Sequence, residues 1–439
     1  MPCTITVIPF GIDTIQERSR MTGDTRQDPA SVRSNIWEFN FTLETVLLLV
    51  LGIFMLIFGI LLVFINTGAL PYTPDSTYGL FLVLVALQVI TMGKTPFGEV
   101  RRTWLVIIAG ICAGILGMTA CFIPGALSGI IHDLVGALLL VGGIALLLQL
   151  VLNKEKAALW IRIPGILRHL TVACGLVYTL SVLLGLITLL PGLVDNAVTS
   201  VFLILSGLSL FYLAWSIQKA YTLYSPQATQ SAGPLPQGSG NVPFFFRDAP
   251  ISFTFALLLF LGVLLALLAV LLVPVNLGLI PFSPDGQLGL LIVIMAIQFL
   301  AMGETPVGQF RRTWLILFAG LLFVTLGSIA SIVPGVLTPV LVVTLATLNI
   351  FGGIIPLTIR VLPVFRALIN PPAQKAVIPP PLKKLLITQS VLNIVGILFG
   401  LSMLLPGVIP GLVVAVILFA NGLLLFVLAY ILSTLTAPE

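Results

Sequence analysis

Apolar stretches of roughly 16 to 24 residues recur along the whole chain, separated by short polar segments, and they leave few choices of fold. A helix needs about 20 residues to cross a hydrocarbon core of about 30 Å. Lipid offers no partner to an open backbone, so only helices and closed barrels span it. Ten-residue segments of alternating polarity are absent, which leaves helices. Twelve spans are read at 44–65, 77–93, 104–123, 130–152, 170–190, 197–217, 253–275, 287–302, 314–333, 337–358, 385–405 and 408–433, the second and eighth being short. Hydrophobic residues make up 59% of the chain and charged residues 8%, with a mean hydropathy of +1.19. A soluble domain carries about a quarter charged residues. The expected fold class is therefore an all-α integral membrane protein of about twelve transmembrane helices.

The few charges orient it. With the N-terminus placed in the cytoplasm, all 20 Lys and Arg fall on the cytoplasmic arm, loops and linker, and the six opposite loops hold none. This is the asymmetry of the positive-inside rule, and it predicts a multi-pass protein of the cell membrane with both termini cytoplasmic. The net charge of +5 then reflects topology and attraction to anionic headgroups, not nucleic-acid binding. The first 43 residues lack a basic flank, apolar run and small-residue cleavage site, and read as a polar cytoplasmic arm. The four cysteines, Cys3, Cys112, Cys121 and Cys174, avoid the outer loops and imply no disulfide framework.

The same phrase occurs twice: MGKTPFGEVRRTW from Met92 and MGETPVGQFRRTW from Met302, an offset of 210. The register extends through Gly52 and Gly262, Asp75 and Asp285, Gln88 and Gln298, Gly117 and Gly327, and Pro124 and Pro334. After a five-residue insertion it resumes with Pro191 and Pro406. The pattern predicts a tandem duplication of a six-helix unit. Its parts are a cytoplasmic arm over 1–43, a first repeat over 44–217, a linker over 218–252, a second repeat over 253–433 and a tail over 434–439. An even number of spans per half makes the repeats parallel. Within each half, a Gly-containing helix, a Pro-containing outer turn and a second Gly-containing helix predict three helical hairpins. Proline would shape the turn, and glycine would let the two backbones approach.

Two of these segments, GLITLLPGLVDNAVTSVFLILSGLSLFYLAWSI and GLSMLLPGVIPGLVVAVILFANGLLLFVLAYIL, resemble the HdeD acid-resistance membrane proteins, whose six helices form three such hairpins. The resemblance implies that each half is one HdeD-like unit. It transfers no catalytic or ligand-binding residue.

The repeated phrase falls in the cytoplasmic loop between the second and third spans of each half. There Thr95 and Thr305 are expected to cap a short helix starting at Pro96 or Pro306. Arg101 and Arg102, with Trp104, and Arg311 and Arg312, with Trp314, are expected to anchor helix ends and to contact anionic lipid. Major facilitator transporters carry a glycine-to-basic-pair motif in the same two loops. Its Asp, four residues after the glycine, is replaced here by Phe97 and Val307, so that similarity stays superficial.

Coupled transporters hold ionisable groups inside the bundle, and these spans have none clearly there. Their polar groups are amides, including Gln149, Asn349, Asn393 and Asn421, expected to join helices. Gln88 and Gln298, equivalent in the two halves, are expected to face one shared central space. Asp75 and Asp285 read as turn and cap residues, and His132 beside Asp133 lacks a third partner. No catalytic residue, metal site or cofactor is assigned, and enzymatic activity is not expected. The leading expectation is a structural or stress-related membrane component. The alternatives are a facilitator or exporter of a neutral or lipid-like solute between the two halves, and a subunit of a larger membrane complex. Expected partners are membrane lipids, with a homo-oligomer or other membrane subunits left open.

Overall fold

The computed structural model describes residues 41–91, 103–152, 165–228, 253–301, 314–369, 380–405 and 407–436. The arm up to residue 40, residues 92–102 and 302–313 of the two RR loops, and the linker from 229 to 252 lie outside these residues. Twelve α-helices are described, and the described residues form a helical multi-pass membrane architecture. They are α1 (Leu43–Asn66), α2 (Pro74–Thr91), α3 (Trp104–Phe122), α4 (Ser128–Leu152), α5 (Ile166–Leu189), α6 (Asn196–Ala228), α7 (Phe253–Asn276), α8 (Pro284–Ala301), α9 (Trp314–Ile332), α10 (Thr338–Ile369), α11 (Pro380–Leu404) and α12 (Gly411–Thr436). Ten of them are long and apolar enough to cross a membrane. The apolar parts of α8 and α9, Pro284–Gln298 and Leu317–Ile332, are shorter.

Three helices run past the spans read from hydropathy. α6 continues to Ala228, α10 continues to Ile369, and α11 starts at Pro380. The added turns carry Lys219, Arg360, Arg366, Lys383 and Lys384. Charge ends an apolar window without ending a helix, because Lys and Arg are good helix formers and extend toward the interface.

At the opposite end the chain reverses through turns with a common device. Gly68, Gly125, Gly192, Gly278, Gly335 and Gly407 all have φ between +69° and +93°. That left-handed conformation is open to glycine and costly for other residues. After α1 and α7 the turn closes as paired backbone bonds, Gly68 N–H to Ile65 O and Ala69 N–H to Phe64 O, then Gly278 N–H to Val275 O and Leu279 N–H to Pro274 O. This is the Schellman pattern.

The turns do not define the closest helix pairs, although the third expected hairpin of each half, α5 with α6 and α11 with α12, does pack. α1 packs chiefly on α6, α2 on α3 and α4 on α5, with α7 on α12, α8 on α9 and α10 on α11. α1 with α2, and α3 with α4, touch only lightly. Glycine decides the pairing. A Cβ on Gly79 in α2 would lie 2.5 Å from Gly117 O in α3, and one on Gly207 in α6 would lie 2.8 Å from Gly52 O in α1. Gly185 in α5 sits against the backbone of Leu140 in α4, at 2.4 Å by the same measure. The second half repeats these contacts with Gly289 on Gly327, Gly422 on Gly262 and Gly400 on Ala346. Lipid gives apolar helices no hydrophobic reason to associate, so close backbone packing at small residues selects partners. Gly142 and Gly352 have nothing within 4 Å, and the adjacent Gly143 and Gly353 make the contacts of α4 and α10.

Helices α1, α2 and α3 meet α7, α8 and α9 in a reciprocal interface. Thr73 donates its N–H to Ile332 O at 3.1 Å, and the equivalent Ser283 donates to Phe122 O at 3.0 Å. Phe122 packs on Phe282 with centroids 5.1 Å apart. Gly286 admits Cys121 O and Ser76 Oγ to within 2.3 and 2.5 Å of where a Cβ would stand.

Candidate functional site

A space with polar groups at one edge lies inside the first half. A cavity of about 300 Å³ is enclosed by all six of its helices. Leu48, Leu51 and Met55 on α1, Phe81, Val85 and Gln88 on α2, and Ser206, Leu210, Leu213 and Ile217 on α6 recur every three or four residues, so each helix contributes one stripe. α4 supplies Leu138, Leu139 and Leu146, and α5 supplies Val177, Tyr178 and Ser181. The volume exceeds the roughly 150 Å³ of an apolar cavity that holds benzene and falls at the lower end of ligand pockets.

Its polarity is graded. Glu44 and Gln88 stand near the end that carries the basic segments, and Val106 of α3 closes that end. Deeper in, Tyr178, Ser181 and Ser206 are the only polar residues on the wall. Ser181 Oγ donates to Leu139 O at 3.0 Å, which ties α5 to α4 and leaves the hydroxyl oxygen toward the lumen. From Glu44 to Met55 the cavity follows about 16 Å of helix, close to half the thickness of a bilayer core of about 30 Å. It therefore has the depth of one lipid leaflet.

Val89 and Leu138 line the cavity, and each is 40% exposed. They flank the gap between α2 and α4, where the loosely packed α3–α4 pair leaves room.

Gln88 thus belongs to a cavity within its own half, where it was expected between the halves; the inter-half seam is occupied by the direct contacts of α1–α3 with α7–α9. Gln298 sits at the equivalent register of α8 and is half-buried. Arg101, Arg102, Arg311 and Arg312 lie outside the described residues, as do Thr95, Thr305, Cys3 and Pro406. Trp104 and Trp314 open α3 and α9. Trp314 meets Phe41 of the first half edge-on, with centroids 5.9 Å apart. The cap seen on α3 is Thr103, whose Oγ1 accepts from Val106 N–H at 3.4 Å.

Asp75 does not cap α2 but sits within its first turn and reaches sideways. Its Oδ2 accepts from Gly125 N–H at 2.8 Å and from Ser128 Oγ at 3.0 Å, fastening the α3–α4 turn. Asp285 does the same for the next half through the Thr338 hydroxyl. His132 lies edge-on to Tyr78 at 5.2 Å and 3.5 Å from Asp133 Oδ1, an exposed packing contact. Among the described residues no cluster of His, Cys, Asp or Glu has the makings of a metal site.

One cluster went unread in the sequence. His169 Nδ1 and Tyr212 Oη are 2.7 Å apart, Tyr212 stacks on Trp215, and Lys219 Nζ lies 5.0 Å over the Trp215 ring. Tyr, Trp and Lys at positions 212, 215 and 219 share one face of α6 at its basic end. That spacing, with aromatic rings and a cation, is the signal of an interfacial belt.

Comparison with protein-family models, with curated proteins and with solved structures finds no match to this chain.

Proposed function

We propose that this protein is a non-catalytic, HdeD-like cell-membrane protein built from two copies of a six-helix unit, and that it binds a lipid-like amphiphile in its first half. The cavity walled by α1–α6 carries the reading. It is as deep as one leaflet, apolar along its length, polar at the basic end and bordered by the partly exposed Val89 and Leu138. An amphiphile fits that gradient, with its chain along Leu48, Leu51 and Met55 and its head near Glu44 and Gln88. The repeated register, the recurrent glycine contacts and the positive-inside asymmetry support the two-unit, termini-inside arrangement. The seam between the halves, closed by Thr73, Phe122, Phe282 and Gly286, favours handling of the solute within a half over passage between halves.

A photoactivatable monoacylglycerol, whose neutral hydroxyl head can donate to Glu44, incorporated into membranes that contain the protein tests this. Cross-links should map to α1, α2 and α6 peptides of the first half and fall at least fivefold in a Val85→Trp variant, whose indole fills the cavity. Labelling confined to exposed lipid-facing positions, unchanged by Val85→Trp, would sink the proposal.

A further inference from the structure

The second half lays different chemistry on the same frame. Leu139 lies eleven residues into α4 from Ser128, Tyr178 eleven residues before the end of α5 at Leu189, and Ser206 ten residues into α6 from Asn196. These three form one level of the first-half cavity. The same positions of α10, α11 and α12 hold Asn349, Asn393 and Asn421, at eleven, eleven and ten residues from Thr338, Leu404 and Gly411. The correspondence rests on contacts as well as on register. Gly143 abuts Val182 where Gly353 abuts Ile397, and Gly185 abuts Leu140 where Gly400 abuts Ile350.

Three carboxamides thus stand in one layer about 16 Å from the turn end, near the middle of a core of about 30 Å. The exchange also removes bulk. A leucine and a tyrosine become asparagines, and Ser181 becomes Gly396, where a Cβ would lie 3.9 Å from Asn349 Oδ1. Asn349 Nδ2 is held by Leu345 O at 2.9 Å, so its free oxygen faces α11. Asn393 Nδ2 is enclosed with no hydrogen-bond partner, and so is Gln389 Oε1 one turn away. A buried amide left unpaired costs about 1–3 kcal/mol and calls for a partner. The helices carry no ionisable side chain at this depth, which rules in an uncharged partner.

We propose that this amide layer of the second half is a second binding site, for an uncharged, lipid-soluble carbonyl compound of the quinone class. Such a molecule partitions near the bilayer midplane, where the layer lies, and its ring carbonyl accepts from Asn393 Nδ2. A ring hydroxyl beside it donates to Gln389 Oε1 or to the Asn349 amide oxygen, neither of which a second acceptor could satisfy. The site rests on the equivalence of the two halves but not on the identity of the first-half amphiphile.

The full chain is loaded with decylubiquinone in detergent, passed through size-exclusion chromatography and extracted, and the retained quinone is quantified by mass spectrometry. With the first-half cavity blocked by Val85→Trp, the chain should retain about one quinone, and the Val85→Trp, Asn393→Leu double variant at least tenfold less. Decylbenzene, which has the same chain and no carbonyl, should not be retained in an Asn393-dependent way. If Asn393→Leu does not elute as a monodisperse peak, Asn393→Ala is read identically. Equal retention with and without the Asn393 substitution in the Val85→Trp chain would overturn the site, as would no retention by the Val85→Trp chain itself. A fall in melting temperature for Asn393→Leu without loss of quinone would assign the amides to helix pairing and overturn it as well.

Discussion

At equivalent registers, the first half places Leu139, Tyr178 and Ser206 around a leaflet-deep apolar cavity, whereas the second places Asn349, Asn393 and Asn421. The frame around both is shared: positive-φ glycines in the turns, glycine contacts between the same helix pairs, and an acidic residue fastening the neighbouring turn. Backbone contacts through glycine set the architecture, and side chains a few ångströms away set what each half can hold. Substitution on the inner stripes is what distinguishes the two halves.

The largest effects should fall on the shared frame and be equal in the two halves. Gly79→Leu and Gly289→Leu drive a branched side chain into the backbone of Gly117 and Gly327, which stand 2.5 and 2.6 Å from an ideal Cβ. Neither variant should yield monodisperse protein on size-exclusion chromatography. Gly142→Leu, with nothing within 4 Å, should behave as wild type. If Gly142→Leu aggregates and Gly79→Leu does not, the assignment of helix pairs is wrong.

Next comes the seam. Gly286→Leu meets Cys121 O and Ser76 Oγ, and overpacking of this kind costs about 1–3 kcal/mol. A drop of several degrees in melting temperature is expected, with each half still intact to limited proteolysis of the linker. An unchanged melting temperature would mean that the two halves do not meet at Gly286.

Smaller still, and again symmetric, is the tie between α2 and the α3–α4 turn. Asp75→Asn replaces a charged acceptor by a neutral one, and its partial exposure reduces the loss to about 1 kcal/mol. Asp285→Asn should cost the same within error by thermal unfolding. Unequal losses would show that the two turns are not equivalent.

Much of this was legible in residues. Apolar length pointed to a helical, multi-pass chain. Proline and glycine marked every turn. The pairing of helices was not legible from the turns, because a chain reversal shows that two helices are consecutive and not that they touch. Gly117 and Gly79 meet across a polar loop, while Gly117 and Gly142 are joined by a Pro turn and do not meet.

The cavity was hidden for a related reason. In a helix apolar all round, the inward stripe of Leu48, Leu51 and Met55 has no polar face to contrast with. Gln88 was visible as a polar group in an apolar span. Its direction depended on how α2 packs, and that follows from Gly79.

The claim on which the account rests is that the first half holds an amphiphile. Native mass spectrometry of the protein released gently from its own membrane tests it most directly. The account predicts one defined lipid-like adduct per chain in wild type, absent from Val85→Trp and present in the equivalent second-half variant Met295→Trp. A bare wild-type chain, or an adduct equally abundant in Val85→Trp, would contradict it.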